Sequence, residues 1–106
     1  MNIKFEKEYL SELYYDGKCS DKKHRFQPQV IRGYLKCVIA LEEAKRVEDL
    51  FRFNALNYER LSGDKNGLSS LRINNQYRLE FREIVNSENE PMITVCSLVD
   101  ITNHYK

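Results

Sequence analysis

Apolar and polar residues along this chain alternate with two periods, and the switches between them outline the fold. Residues 2–6, Asn-Ile-Lys-Phe-Glu, alternate one by one and predict a first strand. Tyr9, Leu10, Leu13 and Tyr14 then fall at helical spacing, predicting a short helix over Lys7 to Tyr15 that Asp16-Gly17 ends. A second helical pattern opens at Pro28, whose missing N–H costs nothing in a first turn. Ile31, Tyr34, Leu35, Val38 and Leu41 recur at intervals of three and four, while Glu42, Glu43 and Lys45 fall largely on the solvent side. This predicts an amphipathic helix of about four to five turns. Val47 to Phe53 predicts a shorter helix with Leu50 and Phe51 turned inward, and Asn54 to Asp64 reads as irregular.

After the Lys65-Asn66-Gly67 turn the period becomes two. Two alternating runs flank Asn74-Asn75-Gln76, residues that favour turns, which predicts a β-hairpin continuing to about Ile84. A three-residue loop sets Ile73 opposite Tyr77 and Leu71 opposite Leu79, both apolar pairs on one face. A two-residue loop would set Ile73 against Gln76 and Leu71 against Arg78, mixing the faces, so burial of one face selects the first register. Asn86 to Pro91 reads as a loop. Ile93 to Val99 is β-prone with few polar groups on either face, which predicts a central strand. Strand, helices, then three strands in succession indicate an α+β fold. Its N-terminal strand and helices pack on a mainly antiparallel sheet of three to four strands.

The favoured register makes Arg72 and Arg78 direct cross-strand neighbours on the other face. Like charges placed opposite each other destabilise a sheet. An anion between the two guanidinium groups reverses that sign, and phosphate suits arginine geometry. The alternative is a pair of arginines splayed into water or paired with Glu80 or Glu59.

Length predicts one domain over residues 1–106, able to bury roughly two-thirds of its unfolded surface. With 42% hydrophobic and 31% charged residues, the composition is that of a soluble globular protein. A net charge of +1 does not mark a strong non-specific nucleic-acid binder. Residues 83–106 carry Glu83, Glu88, Glu90 and Asp100 against Lys106, so the remainder is net positive and any basic patch is local. The basic run Lys18, Lys22, Lys23, His24 and Arg25 reads either as a solvated loop or as an RNA-facing one, the solvated reading being favoured. Cys19, Cys37 and Cys96 are odd in number and widely spaced, which predicts free thiols in a reducing cytosol. No Cys/His spacing suggests a metal site. The first residues lack a signal-peptide pattern, and no apolar run approaches a membrane span.

The candidate chemistry gathers around the arginine pair. Lys65 stands at the hairpin entrance, Glu59 and Arg60 precede it, and His104 and Tyr105 follow the last strand. A metal-free ribonuclease needs a base for the ribose 2′-OH, cations for the phosphorane and an acid for the leaving 5′-oxygen, and this set supplies each type. The residues Leu-x-Gly-Asp-Lys-x-Gly, then Leu-Arg-Ile-Asn-x-Gln-Tyr-Arg-Leu-x-Phe, then a terminal Asn-His-Tyr resemble the HigB-type toxins of the RelE superfamily, also called plasmid maintenance killer proteins. The match is densest over residues 56–82 and covers roughly half of the chain.

The resemblance implies a RelE-like toxin fold. It also implies a cytoplasmic toxin of a type II toxin–antitoxin pair that cleaves messenger RNA in the ribosomal A site, without metal or cofactor. By resemblance Arg78 matches the arginine of the family's Gln-(Trp/Tyr)-Arg segment, Arg72 the basic position in the preceding strand, and Lys65 the basic position between the glycines. His104 and Tyr105 resemble the family's terminal histidine and aromatic. Expected catalytic residues are therefore Arg78, His104, Tyr105, Lys65 and Glu59, and expected phosphate binders are Arg72, Arg78, Arg60 and Lys65. Expected partners are the ribosome with its messenger RNA and a small helix-turn-helix antitoxin of HigA type encoded nearby. A modest apolar surplus near Phe51, Phe53 and Tyr58 supports that protein partner.

Two departures stand out. Many HigB proteins have His-Pro-Leu-Lys-Gly where this chain has Glu59-Arg60-Leu61-Ser62-Gly63, and the tail is Asp100-Ile-Thr-Asn-His-Tyr rather than Asp-Tyr-His. Either the acid and base roles have moved to Glu59, Lys65 and His104, or the protein is a weak or inactive RNA- or ribosome-binding module.

Overall fold

A computed structural model describes residues 1–85 and 93–103. Strand β1 (Asn2–Phe5) leads into helix α1 (Glu8–Asp16) and then helix α2 (Pro28–Glu43). Four strands follow: β2 (Glu59–Arg60), β3 (Leu68–Arg72), β4 (Tyr77–Val85) and β5 (Ile93–Asn103). They form one sheet in the order β1-β5-β4-β3-β2. β1 runs parallel to β5 and every other pairing is antiparallel. β5 is therefore an interior strand, paired with β1 on one side and β4 on the other, as its two-sided apolar run requires.

The sheet has five strands rather than three or four. The additional one, β2, is two residues long and lies inside the stretch that reads as irregular. Such a piece is too short to show a period, and its pairing with β3 identifies it. The predicted short helix near residue 50 is a 3₁₀ turn, Val47–Arg52, held by Asp49, whose carboxylate accepts from the amides of Lys45 and Arg46 at 2.9 and 3.3 Å. Within it Leu50 is buried, but Phe51 is exposed and touches Tyr58 ring to ring.

The helices cover one face of the sheet. Tyr9, Leu10 and Leu13 of α1, and Val30, Tyr34, Cys37, Val38 and Leu41 of α2, are buried. All of these but Val30 join Leu71, Leu79, Phe81, Cys96, Leu98 and Ile101 from the strands in one core cluster. Each fully buried leucine in this core stabilises the fold by about 1.5–3 kcal/mol. Gly17 ends α1 at φ 75°, a left-handed conformation that glycine adopts without a Cβ clash.

Gly33 brings α2 against the end of the hairpin. A Cβ there would lie 2.7 Å from the carbonyl oxygen of Ile73. One turn on, the Cys37 thiol donates to the carbonyl of Arg72 at 3.4 Å. The helix thus backs the hairpin directly behind the arginine pair.

Candidate active site on the open sheet face

The predicted hairpin register is the one observed. Leu71 stands opposite Leu79 and Arg72 opposite Arg78, and Ile73 N donates to the Tyr77 carbonyl at 3.0 Å. Asn74 shapes the turn: its Oδ1 accepts from the amides of Gln76 and Tyr77 at 2.9 and 2.7 Å. Because Leu71, Leu79 and Ile101 point into the core, their neighbours along each strand point to the face that the helices leave open.

Two cross-strand rows result. One runs Arg72–Arg78–Thr102 and the next runs Glu59–Ser70–Glu80–Asp100. Adjacent strands lie about 4.8 Å apart, so the arginine row spans about 10 Å. A bulge lies beside Glu80: the pairing jumps from Glu80↔Asp100 to Phe81↔Leu98 and leaves Val99 without a partner position. Bulges re-aim neighbouring side chains.

The arginines hold on to the turn rather than to acids. Arg72 donates to the side-chain oxygen of Asn75, and Arg78 Nη1 donates to the carbonyls of Asn74 and Tyr77 at 2.7 and 3.1 Å. Neither is ion-paired with a carboxylate among the described residues, so the pairing with Glu80 or Glu59 does not form.

Glu80 takes other partners. Although on the open face, it is only 6% exposed. Lys65, on a 3₁₀ turn (Gly63–Lys65), reaches over the sheet so that Nζ lies 2.6 Å from Glu80 Oε2, and the Thr102 hydroxyl donates to the same oxygen at 3.1 Å. Glu80 is the residue that the sequence reading left out of the candidate set. The signal existed: two residues after Arg78 on one strand is the same face. Glu59 lies in the same row beyond Ser70 and accepts from the Asn57 side chain at 3.2 Å. Two carboxylates, one exposed and one buried, thus flank the Ser70 position.

Arg60 is not brought to this site. Its cross-strand partner is Ser69, on the helix-covered side, and its guanidinium lies beside Tyr58 and Glu83, with Nε donating to the tyrosine oxygen at 3.4 Å and Nη2 3.8 Å from Glu83. Tyr58 and Ser69 both donate to Glu83, the serine at 2.7 Å. Burial, and then the bond to Glu83, push the Tyr58 hydroxyl above its usual range. Asp100 ends the carboxylate row but turns over the sheet edge, where Tyr9 donates to it and Lys7 Nζ lies 3.0 Å away. His104 and Tyr105 lie outside the described residues. Phe51 and Phe53 are exposed, whereas Tyr58 is half-buried. Among the described residues no group of three or more His, Cys, Asp or Glu is placed to hold a metal ion, and no helix is long and apolar enough to cross a membrane.

The model of the HigB-like toxin family, a RelE-like toxin of the type II toxin–antitoxin system HigB, matches residues 3–93. Toxin HigB-1 of Vibrio cholerae serotype O1 (strain ATCC 39315 / El Tor Inaba N16961) is 34% identical over 83 residues, which cover 77% of this chain and 83% of that protein. Among solved structures, the YoeB/ParE toxin from Agrobacterium tumefaciens aligns with 99% of this chain and 100% of its own at a TM-score of 0.53. At 17% identity that likeness is one of fold. With the family pattern running over most of its length, and an antitoxin implied by the pairing, this chain belongs to the HigB-like family of RelE-like toxins of type II toxin–antitoxin systems.

Proposed function

We propose that this toxin is a metal-independent endoribonuclease that cleaves messenger RNA on the ribosome and so inhibits translation in the cytoplasm. The observation that carries this reading is the cross-strand pair Arg72 and Arg78, held over the hairpin turn with no acid between them, one row from Glu80 and Lys65. Two like charges set side by side favour an anion that bridges them.

In the proposed reaction a carboxylate, Glu80 or Glu59, takes the proton of the ribose 2′-OH. The 2′-oxygen bonds to phosphorus, and Arg72 and Arg78 stabilise the added charge on the phosphorane. The P–O5′ bond then breaks. Lys65, or His104 or Tyr105 from the tail, gives a proton to the departing 5′-oxygen. A 2′,3′-cyclic phosphate and a 5′-hydroxyl result, with one proton taken and one returned. In this reading residues 1–106 act as a single toxin domain, and the neutralising partner is a small helix-turn-helix antitoxin.

A second reading is favoured by Glu59 and Ser62, which stand where many relatives carry histidine and lysine, and by the tight Lys65–Glu80 pair. In that reading the protein binds RNA or the ribosome without cutting. Incubation with programmed ribosomes, with and without EDTA, followed by mapping of transcript ends, decides between them. New 5′-hydroxyl ends in both arms support the nuclease; intact transcript with stalled translation supports the binder.

A further inference from the structure

The segment Lys18 to Arg25 carries Lys18, Lys22, Lys23 and Arg25 against one acid, Asp21. Most such runs are loose and solvated, but this one is built. Asp21 caps the 3₁₀ turn Lys22–His24 by accepting from Lys23 N at 2.9 Å, and its other oxygen lies 2.7 Å from His24 Nδ1. The Cys19 thiol donates to the His24 carbonyl at 3.3 Å. The His24 ring stacks on Tyr9, with centroids 3.6 Å and planes 5° apart. The one acid is therefore used inside the loop. Lys22, Lys23 and Arg25 are exposed, and none is ion-paired with a carboxylate among the described residues.

The anchors also place the loop. Tyr9, under His24, donates to Asp100 and accepts from Ile101 N at 2.8 Å, so it grips β5 beside the carboxylate row. Phe26, which follows Arg25, packs edge-on against Tyr77 at 5.3 Å between centroids, and Tyr77 precedes Arg78. The loop thus stands at the end of the sheet that carries the Arg72–Arg78–Thr102 row.

We propose that the Lys18–Arg25 loop is a second RNA-binding element, in which Lys22, Lys23 and Arg25 hold phosphates of RNA continuing beyond the arginine row. The proposal rests on the RNA-binding part of the reading above and not on cleavage. A fixed backbone presenting several cations, anchored at the end of the sheet where the arginine pair stands on the opposite face, suits a phosphodiester chain that passes round that end, its charges recurring at regular intervals. The phosphates belong either to the substrate strand or to ribosomal RNA.

The test compares the wild type with the triple variant Lys22→Gln, Lys23→Gln, Arg25→Gln. Affinity is measured over a salt series for an uncleavable 2′-O-methyl single strand and for programmed ribosomes. Losing three phosphate contacts lowers the slope of log affinity against log salt by about 2 on a single strand. A lower slope on both ligands assigns the phosphates to the substrate strand, and a lower slope on ribosomes alone assigns them to ribosomal RNA. An unchanged slope on both overturns the proposal. The variant Lys22→Arg, Lys23→Arg should keep the wild-type slope; if it loses as much as the triple variant, charge is not the cause and the proposal falls. Because the strand cannot be cut, wild-type binding without cleavage elsewhere would refute only the nuclease reading.

Discussion

Two glutamates three positions apart on β4 show how one residue type is put to different use on the two faces of this sheet. Glu80 and Glu83 are both nearly buried, at 6% residue exposure and 11% side-chain exposure, and each has a cation near it. Glu83 is enclosed. Tyr58 and Ser69 donate to one of its oxygens, and Arg60 stays 3.8 Å away. Glu80 takes Lys65 at 2.6 Å and Thr102 at 3.1 Å on Oε2, and in each glutamate the second oxygen accepts no described hydrogen bond. Its next row holds two arginines without acids. Burial and pairing alone do not distinguish a site from a strut. The difference lies in what stands beside each carboxylate: a lysine ammonium in contact and two arginines without acids in the next row for Glu80, neutral hydroxyl donors for Glu83.

The largest effect follows from removing that positive charge. Arg78→Leu should lower cleavage on the order of 100- to 1000-fold, the loss typical of one preorganised charge stabiliser. The repulsion from Arg72 disappears while the half-buried carbonyls of Asn74 and Tyr77 regain water, so stability should change by only about 1 kcal/mol. Arg78→Lys should also be poor, because an ammonium cannot make the bidentate phosphate contact. A melting curve and a cleavage assay on the same sample test this. A large fall in melting temperature with normal activity per folded molecule would make Arg78 a structural residue like Glu83.

The arginine pair was legible in the sequence because one constraint decides it: Leu71 and Leu79 must both reach the core, and that fixes Arg72 opposite Arg78. The two main helices were legible for the same reason. Val30 and Cys37 join Tyr34, Val38 and Leu41 in the buried stripe of α2, whereas Ile31 and Leu35 are only half-buried. Glu80 was half legible. Its face follows from Arg78 by the period of two, but Lys65 reaches it across a loop, and Thr102 reaches it through a register set by the bulge at Val99. Neither leaves a periodic trace. Arg60 misled for a related reason. A loop residue has no predicted face, and only the two-residue pairing of β2 with β3 turns it toward Ser69. Phe51 lies in a 3₁₀ turn, where helical spacing misjudges which side chain points inward.

The middle-sized effect sets the glutamates against each other directly. Glu80→Gln keeps shape but removes the proton acceptor, and should lower cleavage by about 100-fold. Glu83→Gln should leave activity per folded molecule intact. It weakens a nearly buried network of Tyr58, Ser69 and Arg60, and should reduce stability by about 1–3 kcal/mol. Urea unfolding and single-turnover cleavage on both variants give a two-by-two result. Equal loss of activity in both would erase the contrast. If instead Glu80→Gln destabilises more than Glu83→Gln and cuts normally, the roles are reversed.

The smallest effect uses a thiol as a reporter of the Glu83 side. Cys96 stands opposite Glu83 across β4 and β5 and is fully buried. Burial first, and the negative charge of Glu83 second, push its thiol up to about 12. A raised thiol pKa means that the folded state binds the proton more tightly than the unfolded chain does. Its contribution to stability is whole below the ordinary thiol value of 9.0 and is lost as pH rises toward about 12. In a Cys19→Ser background, alkylation of the native protein at pH 9 should therefore be slow, with Cys37 silent as well because burial lifts it to about 12. Adding Glu83→Gln removes only the lesser of the two causes, so the alkylation profile of Cys96 should move slightly toward lower pH while that of Cys37 stays still. Mass spectrometry of the labelled thiols across pH 8 to about 10 reads both cysteines in one sample. A shift of Cys37 equal to that of Cys96 would mean that the variant loosens the whole core, and Glu83 would then be a strut for the entire sheet rather than for its own corner.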